Sequence, residues 1–314
     1  LSEVAEVILY NRALSETEVS DLSDSLKVKW LGGRVQNFPL LVKLGFPHHP
    51  DFSLDTFSDP ANGGDLRFFD ENNRELDYEI DEWNASGESL VWVKVIDFSS
   101  ESKILARWGN DNNTTSPPSS VIWSEFEGVW HLEDNLDSST NGRNGTPTAN
   151  ISFSGNGLIG ESLSLTGSDH MEVSTFNGIS SDYPRAVSMW FKSSANSGNL
   201  LGWGSVGNFW DIAWNSQGPL VSTGNTNGKR QGFGTLSDDQ WHHLIISYPG
   251  NGGDLNTTRI YLDGNLVDVP ASSVSGVVNT SLDSGVKIGA NFDHSNSMTG
   301  LLDEVRISNQ NRGQ

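Results

Sequence analysis

Short runs in which apolar and polar residues alternate, each closed off by Gly, Asn, Asp or Pro, follow one another from residue 35 to the end of the chain. Alternate residues of a strand share one face, so runs of this kind form strands that bury one side and wet the other. Phe38-Pro39-Leu40-Leu41-Val42-Lys43-Leu44, Asp65-Leu66-Arg67-Phe68-Phe69, Glu75-Leu76-Asp77-Tyr78-Glu79-Ile80, Ser89-Leu90-Val91-Trp92-Val93-Lys94-Val95 and Ser102-Lys103-Ile104-Leu105-Ala106-Arg107-Trp108 all read this way. Asp70-Glu71-Asn72-Asn73 reads as a hairpin turn. In Arg259-Ile260-Tyr261-Leu262-Asp263-Gly264-Asn265-Leu266-Val267 the Asp263-Gly264 pair supplies the positive φ angles of a tight turn. The 33 Gly and 11 Trp suit many short strands better than long helices. The expectation is an all-β chain whose 314 residues suffice for two β-sandwich domains.

The opening residues differ from the rest. Ala5-Glu6-Val7-Ile8-Leu9-Tyr10-Asn11-Arg12 reads as a strand, and Ser15-Glu16-Thr17-Glu18 is a capping box. Val19, Leu22, Leu26 and Trp30 then recur at helical spacing until Gly32-Gly33, which predicts one short N-terminal helix. Asp303-Glu304-Val305-Arg306-Ile307-Ser308-Asn309 has the shape of Ala5 to Asn11, so the two ends repeat one another, as in a tandem array whose preceding unit is cut short. Residues 110–120, rich in Asn, Thr, Ser and Pro, read as a linker. The expected layout is a tail strand and helix over 1–34, a small sandwich over 35–119 and a larger β-sandwich over 120–314.

Charge narrows the partners. With 40 acidic and 19 basic residues the formal charge is −21, which repels nucleic acid and an anionic bilayer and leaves a cation or a neutral surface as the easier partner. No run approaches the roughly 20 apolar residues of a membrane span. The absence of cysteine removes disulfides, thiolate metal sites and a cysteine nucleophile.

A family likeness rests on five ordered motifs: Gly157-Leu158-Ile159-Gly160-Glu161-Ser162-Leu163-Ser164-Leu165-Thr166-Gly167-Ser168-Asp169, Val187-Ser188-Met189-Trp190-Phe191-Lys192, Gln240-Trp241-His242-His243-Leu244, Ile260-Tyr261-Leu262-Asp263-Gly264 and Leu302-Asp303-Glu304-Val305-Arg306-Ile307. In order they resemble the strands of bacterial laminin-G-like, concanavalin A-like domains. The resemblance implies a two-sheet jelly roll, often bearing structural calcium, that recognises carbohydrate or protein in secreted enzymes and adhesins. It also implies buried positions for Trp190 and Trp241. Residues 38–109, with Tyr78-Glu79-Ile80-Asp81-Glu82-Trp83, Val91-Trp92-Val93-Lys94-Val95 and Trp108-Gly109-Asn110, resemble an uncharacterised bacterial β-sandwich that commonly precedes such domains. The first 30 residues resemble the tail of another laminin-G-like unit.

Several motifs bear on chemistry. Glu79 and Asp81 would share a strand face, but hydrolysis of a glycosidic bond needs an acid and a base or nucleophile about 5 to 9 Å apart. With Glu82 on the opposite face, the expectation is a solvated strand edge and no catalytic residues. Asp137-Ser138-Ser139-Thr140-Asn141-Gly142 spaces oxygen donors as a calcium loop does, although Thr148 stands where the bidentate Glu of an EF-hand would be. Asp137, Ser139 and Asn141, with Asp303 supplying a further carboxylate as the resemblance suggests, form the expected calcium set. Adjacent His242 and His243 point to opposite strand faces and do not chelate one ion. Trp210, Ile212 and Trp214 share a face and read as core. Phe209 and Asp211 would point the other way, and with Trp203 and Arg230 they form the expected sugar-binding face, an aromatic platform flanked by polar groups. The leading reading is thus a non-catalytic, extracellular or cell-surface carbohydrate-binding module of a larger protein. The alternatives are a protein-binding or spacer module of an adhesin, whose partner is a cell-surface protein, and an accessory region of a polysaccharide-degrading enzyme.

Overall fold

The computed structural model describes residues 35–45, 53–99, 102–112, 115, 119–148, 150–154, 157–224, 229–230, 236–250, 252, 254–267 and 278–312. The strand and helix expected within 1–34 lie outside the described residues. Among those described there is no α-helix, only the 3-10 turns Leu54–Thr56, Ser119–Trp123 and Leu255–Thr257. The chain divides into two units, residues 1–122 and 123–314.

In the first unit β1 (Val35–Leu44), β2 (Arg67–Asp70), β3 (Glu75–Leu76), β4 (Tyr78–Glu82), β5 (Ser89–Phe98) and β6 (Ile104–Arg107) form two three-stranded sheets, ordered β1-β5-β4 and β3-β2-β6. Leu44, Phe57, Leu66, Phe68, Leu76, Tyr78, Val91 and Val93 pack as their common core. The β2–β3 hairpin closes at the expected turn, where Oδ1 of Asp70 accepts from the N–H groups of Asn72 and Arg74 (2.9 and 2.8 Å) and Asn73 takes φ +62°. Glu79 and Asp81 are not the solvated pair expected. Glu79 is buried opposite Trp92, and Asp81, at a register shift between Ile80 and Glu82, accepts from Nε1 of Trp92 (3.1 Å).

In the second unit the strands are β7 (Gly128–Trp130), β8 (Thr146–Pro147), β9 (Ser152–Ser154), β10 (Ser162–Thr166), β11 (Met171–Val173), β12 (Arg185–Lys192), β13 (Gly198–Ser205), β14 (Asn208–Asn215), β15 (Gly218–Thr223), β16 (Lys229–Arg230), β17 (Trp241–Tyr248), β18 (Arg259–Leu262), β19 (Asn265–Leu266), β20 (Val286–Ile288) and β21 (Thr299–Ser308). They form two antiparallel sheets. One runs β19-β18-β17-β12-β21-β10-β9 with β7 added beside β21, and the other runs β16-β15-β14-β13-β20-β11-β8. Two sheets of this size bury a core between their facing sides. Trp210, Ile212 and Trp214 of β14 line it, as the alternation requires, with Met189 and Phe191 of β12 and Leu302, Val305 and Ile307 of β21. The β18–β19 turn has φ +50° at Asp263 and +77° at Gly264.

Trp190 departs from the buried position that the resemblance implied. The burial of β12 alternates, with Val187, Met189 and Phe191 inward, so Trp190 faces outward and stacks on His243 with ring centroids 4.7 Å apart.

Candidate functional site

The turn at Asp137 is built around its carboxylate. Oδ1 accepts from the N–H groups of Val129 and Ser139 (both 2.9 Å), and Oδ2 accepts from Oγ of Ser139 (2.8 Å) and N–H of Arg143 (2.7 Å). Four donors fill the acceptor sites that a carboxylate offers. Nδ2 of Asn141 meanwhile donates to the carbonyls of Phe126 and Glu127. A calcium ion would have to displace these donors, so the Asp137-Ser139-Asn141 loop does not fit the metal that its spacing suggested. What the loop does is deliver Arg143. Its guanidinium carbon lies 4.0 Å from the ring centroid of Phe176, and Nη1 donates to Oε2 of Glu127 (2.6 Å). The other oxygen of Glu127 accepts from Nδ2 of Asn309 (2.6 Å).

Facing this group is the segment between β11 and β12, held from below by Arg185. That side chain is 0% exposed. It donates to the carbonyls of Tyr183 (3.1 Å), Ser180 (3.1 Å) and Ser181 (2.8 Å) and to Oγ1 of Thr280 (2.8 Å). Its guanidinium lies 5.0 Å from the ring of Trp210 and 5.8 Å from those of Trp203 and Tyr248. Burial pulls its pKa down to about 10, so it remains charged at neutral pH.

Between the two walls opens a cleft of about 610 Å³, lined by Glu127, Arg143, Phe176, Asn177, Tyr183 and Asn309 among others. Tyr183 is 60% exposed on the rim, a large aromatic face presented to solvent. Reasoning from sequence missed this site. Its residues come from separate loops, and each alone looks like an ordinary surface residue; the Tyr183-Pro184 step before β12 was the only local signal.

The sugar-binding face expected at Trp203, Phe209, Asp211 and Arg230 does not assemble. Trp203 pairs directly with Trp210 across β13 and β14, which puts it on the core face at 0% exposure and out of reach of a ligand. Phe209 does face outward, but it stacks on Phe292 (4.4 Å, 5°). Asp211 is buried and accepts at Oδ1 from N–H of Phe292 (2.8 Å). Gly202 makes room for this contact, since a Cβ there would sit 2.1 Å from Oδ1 of Asp211 and 2.5 Å from N of Phe292. Arg230 falls in β16 opposite Leu220, and its side chain lies outside the described residues.

Burial, with the charge of Asp293 adding to it, pushes Asp211 up to about 8 from 3.8, while the Phe292 N–H works against the shift. Its folded-state pKa is therefore above the unfolded value. The stability it contributes is complete below about pH 4 and is lost as pH rises toward 8. Asp211→Asn keeps an acceptor for Phe292 and should come close to the parent near pH 4 but exceed it by about 5 kcal/mol near pH 8. Urea unfolding at the two pH values checks this.

Of the remaining expected ligands, Asp303 is 0% exposed in β21 and accepts at Oδ2 from the N–H groups of Leu158 (2.7 Å) and Ile159 (3.0 Å). His242 bridges Asp263 (2.9 Å) and Asp238 (3.1 Å), whereas His243 stacks on Trp190, so the two histidines do diverge. Among the described residues no helix is long and apolar enough to cross a membrane.

The two facing antiparallel sheets of the second unit define a β-sandwich of jelly-roll type. Residues 165–314 match the family described as the concanavalin A-like lectin/glucanases superfamily. Residues 62–139 match a domain of unknown function, DUF2341. No curated protein matches the chain. Among solved structures it is similar to domain 4 of AbnA, a GH43 extracellular arabinanase from Geobacillus stearothermophilus, in complex with arabinotriose (22% identity, TM-score 0.46, covering 59% of this chain and 92% of that one). It is also similar to the receptor binding domain of botulinum neurotoxin D (14%, 0.42, 60% and 50%) and to the binding domain of botulinum neurotoxin serotype C1 (12%, 0.44, 60% and 49%). The match thus spans about half the length of the neurotoxin domains.

Proposed function

We propose that the C-terminal unit is a non-catalytic module that binds a neutral glycan in the cleft between the Arg143 loop and the segment carrying Tyr183. The observation that carries this reading is the pairing, on one concave surface, of an exposed aromatic ring with polar groups already fixed by their neighbours. An aromatic face packs against the C–H face of a sugar while oriented donors and acceptors read its hydroxyls. Arg143, Glu127 and Asn309 are held by one another, so little ordering entropy is lost on binding. The Arg143 charge is balanced by Glu127, and a formal charge of −21 disfavours polyanionic chains. Among the described residues, Glu127 is the one acidic residue lining the cleft, whereas glycoside hydrolysis ordinarily uses two carboxylates. Such a module serves outside the cell, in a secreted or surface-anchored multidomain protein.

A screen of the intact chain on a glycan array, run with calcium and with chelator, tests the reading together with a reducing-sugar assay on the same polysaccharides. Retention of at least one neutral glycan with no sugar released is the expected outcome. Capture of a cell-surface protein without any glycan would favour an adhesin module instead, and release of reducing sugar would make the domain an enzyme.

A further inference from the structure

Arg143 is firmly held in the cleft, yet only half of its guanidinium is used. Its backbone is fixed on both sides, since the N–H donates to Oδ2 of Asp137 (2.7 Å) and the carbonyl accepts from Nε1 of Trp130 (3.1 Å). The guanidinium carbon lies 4.0 Å from the Phe176 ring centroid, and Nη1 donates to the carbonyl and to Oε2 of Glu127 (2.6 Å each). Among the described residues Nε and Nη2 have no acceptor, although the side chain is only 22% exposed.

A guanidinium presents its N–H groups in a rigid planar fork, so Nε and Nη2 form one edge with two parallel donors. Such an edge takes two acceptor oxygens side by side. A sugar offers them either as a carboxylate or as the hydroxyls of neighbouring carbons. Charge decides between the two. Glu127 already neutralises Arg143, which is the only cation among the described lining residues, and Asp182 and Asp283 adjoin the lining residues Tyr183 and Leu282 in the chain. An anion would therefore enter an acidic surrounding with no unpaired cation to receive it. Hydroxyls avoid that repulsion and can also donate onward. Nδ2 of Asn309 is tied to Oε1 of Glu127 (2.6 Å), which fixes the amide and leaves its Oδ1 as an acceptor in the same cleft.

We propose that the unused edge of Arg143 reads a vicinal diol, so that the glycan residue seated in the cleft carries two neighbouring, unsubstituted hydroxyls in gauche relation. A trans-diaxial pair points its oxygens apart and does not span the fork. A pair bearing acyl, methyl or glycosyl groups has no hydrogen to donate onward. The inference rests on the glycan reading and adds the class of sugar to it: Tyr183 supplies the ring contact, and Arg143 the choice of hydroxyls.

The test uses the full chain, isotope-labelled for NMR, and two probes of sugar-ring size, cis-cyclohexane-1,2-diol and cis-cyclohexane-1,3-diol. The Arg143 Nε–H resonance, identified by its loss in Arg143→Lys, should move with the 1,2-diol and stay in place with the 1,3-diol. Arg143→Lys keeps the charge and the backbone bonds to Asp137 and Trp130 but loses the fork. In calorimetric titration with a polysaccharide retained on the array it should bind at least tenfold more weakly than the parent. Parent-like affinity in Arg143→Lys, with affinity lost in Tyr183→Ala, overturns the diol reading and leaves glycan binding in the cleft standing. Parent-like affinity in both variants, with a resonance that neither diol moves, overturns both readings. A resonance moved equally by the two diols also overturns the proposal. So does tighter binding of polygalacturonate than of any neutral polysaccharide, which would make the fork a carboxylate receptor.

Discussion

Arg185→Ala should destabilise the C-terminal unit by about 4 kcal/mol, which for a domain of this size lowers the melting temperature by roughly 10 °C. The side chain has no exposure, and its loss leaves the carbonyls of Ser180, Ser181 and Tyr183 and the hydroxyl of Thr280 without their shared donor. It also removes a cation from among Trp203, Trp210 and Tyr248. Lysine keeps the charge but not the planar fork that reaches three carbonyls at once, so Arg185→Lys should recover only a minor part of the loss. The same change should release the Tyr183 wall of the cleft and weaken ligand binding even at temperatures where the unit stays folded. A loss under about 1 kcal/mol, measured by urea unfolding, would show that the segment between β11 and β12 is held by something other than this guanidinium.

The second large effect is expected at Asp137. Removing its carboxylate deprives Val129, Ser139 and Arg143 of their acceptor, four hydrogen bonds to a charged group in a buried turn. Asp137→Ala should cost about 3 kcal/mol. Asp137→Asn should cost nearly as much, because its amide would turn a donor toward N–H or O–H groups that are donors themselves. Arg143 would lose its backbone anchor and with it the placement over Phe176, so the variant should bind glycan more weakly than its stability alone accounts for. Thermal unfolding with a parallel binding titration separates the two consequences. Stability unchanged by Asp137→Ala would mean that the turn is fixed without its carboxylate.

The strands were legible in the sequence because period-two alternation and turn residues are local signals. Asp70-to-Asn73 and Asp263-Gly264 mark their hairpins, and the Trp210-Ile212-Trp214 stripe is core as read. What alternation leaves open is which face of one strand joins which face of its neighbour. Sequence alternation groups Trp203 with Phe209 and Asp211, yet the β13–β14 ladder, which shifts register between Asn199 and Leu201, sets it opposite Trp210. Trp190 shows the reverse case. Its outward direction follows from Val187, Met189 and Phe191 on either side, and a family likeness obscured that pattern. Asp211 is buried by Phe292 and its neighbours, more than eighty positions away in the chain, and no local pattern announces that cover. Asp137 marks a limit of another kind: oxygens spaced for calcium are spaced equally well to receive the N–H groups of a turn. The cleft was the least legible feature, because Glu127, Arg143, Tyr183 and Asn309 lie far apart in the chain and meet only in the folded unit.

The most direct test of the glycan-binding account is an isothermal titration of the intact chain and of Tyr183→Ala with a polysaccharide retained in the array screen. Leu266→Ala, at an exposed position in β19, serves as the surface control. Loss of the aromatic platform on which a sugar ring packs costs about 1.4 kcal/mol or more. The account therefore predicts at least a tenfold weaker Kd for Tyr183→Ala with an unchanged melting temperature, and parent-like binding for Leu266→Ala. Equal affinity in all three proteins would contradict it and place the binding surface away from the cleft.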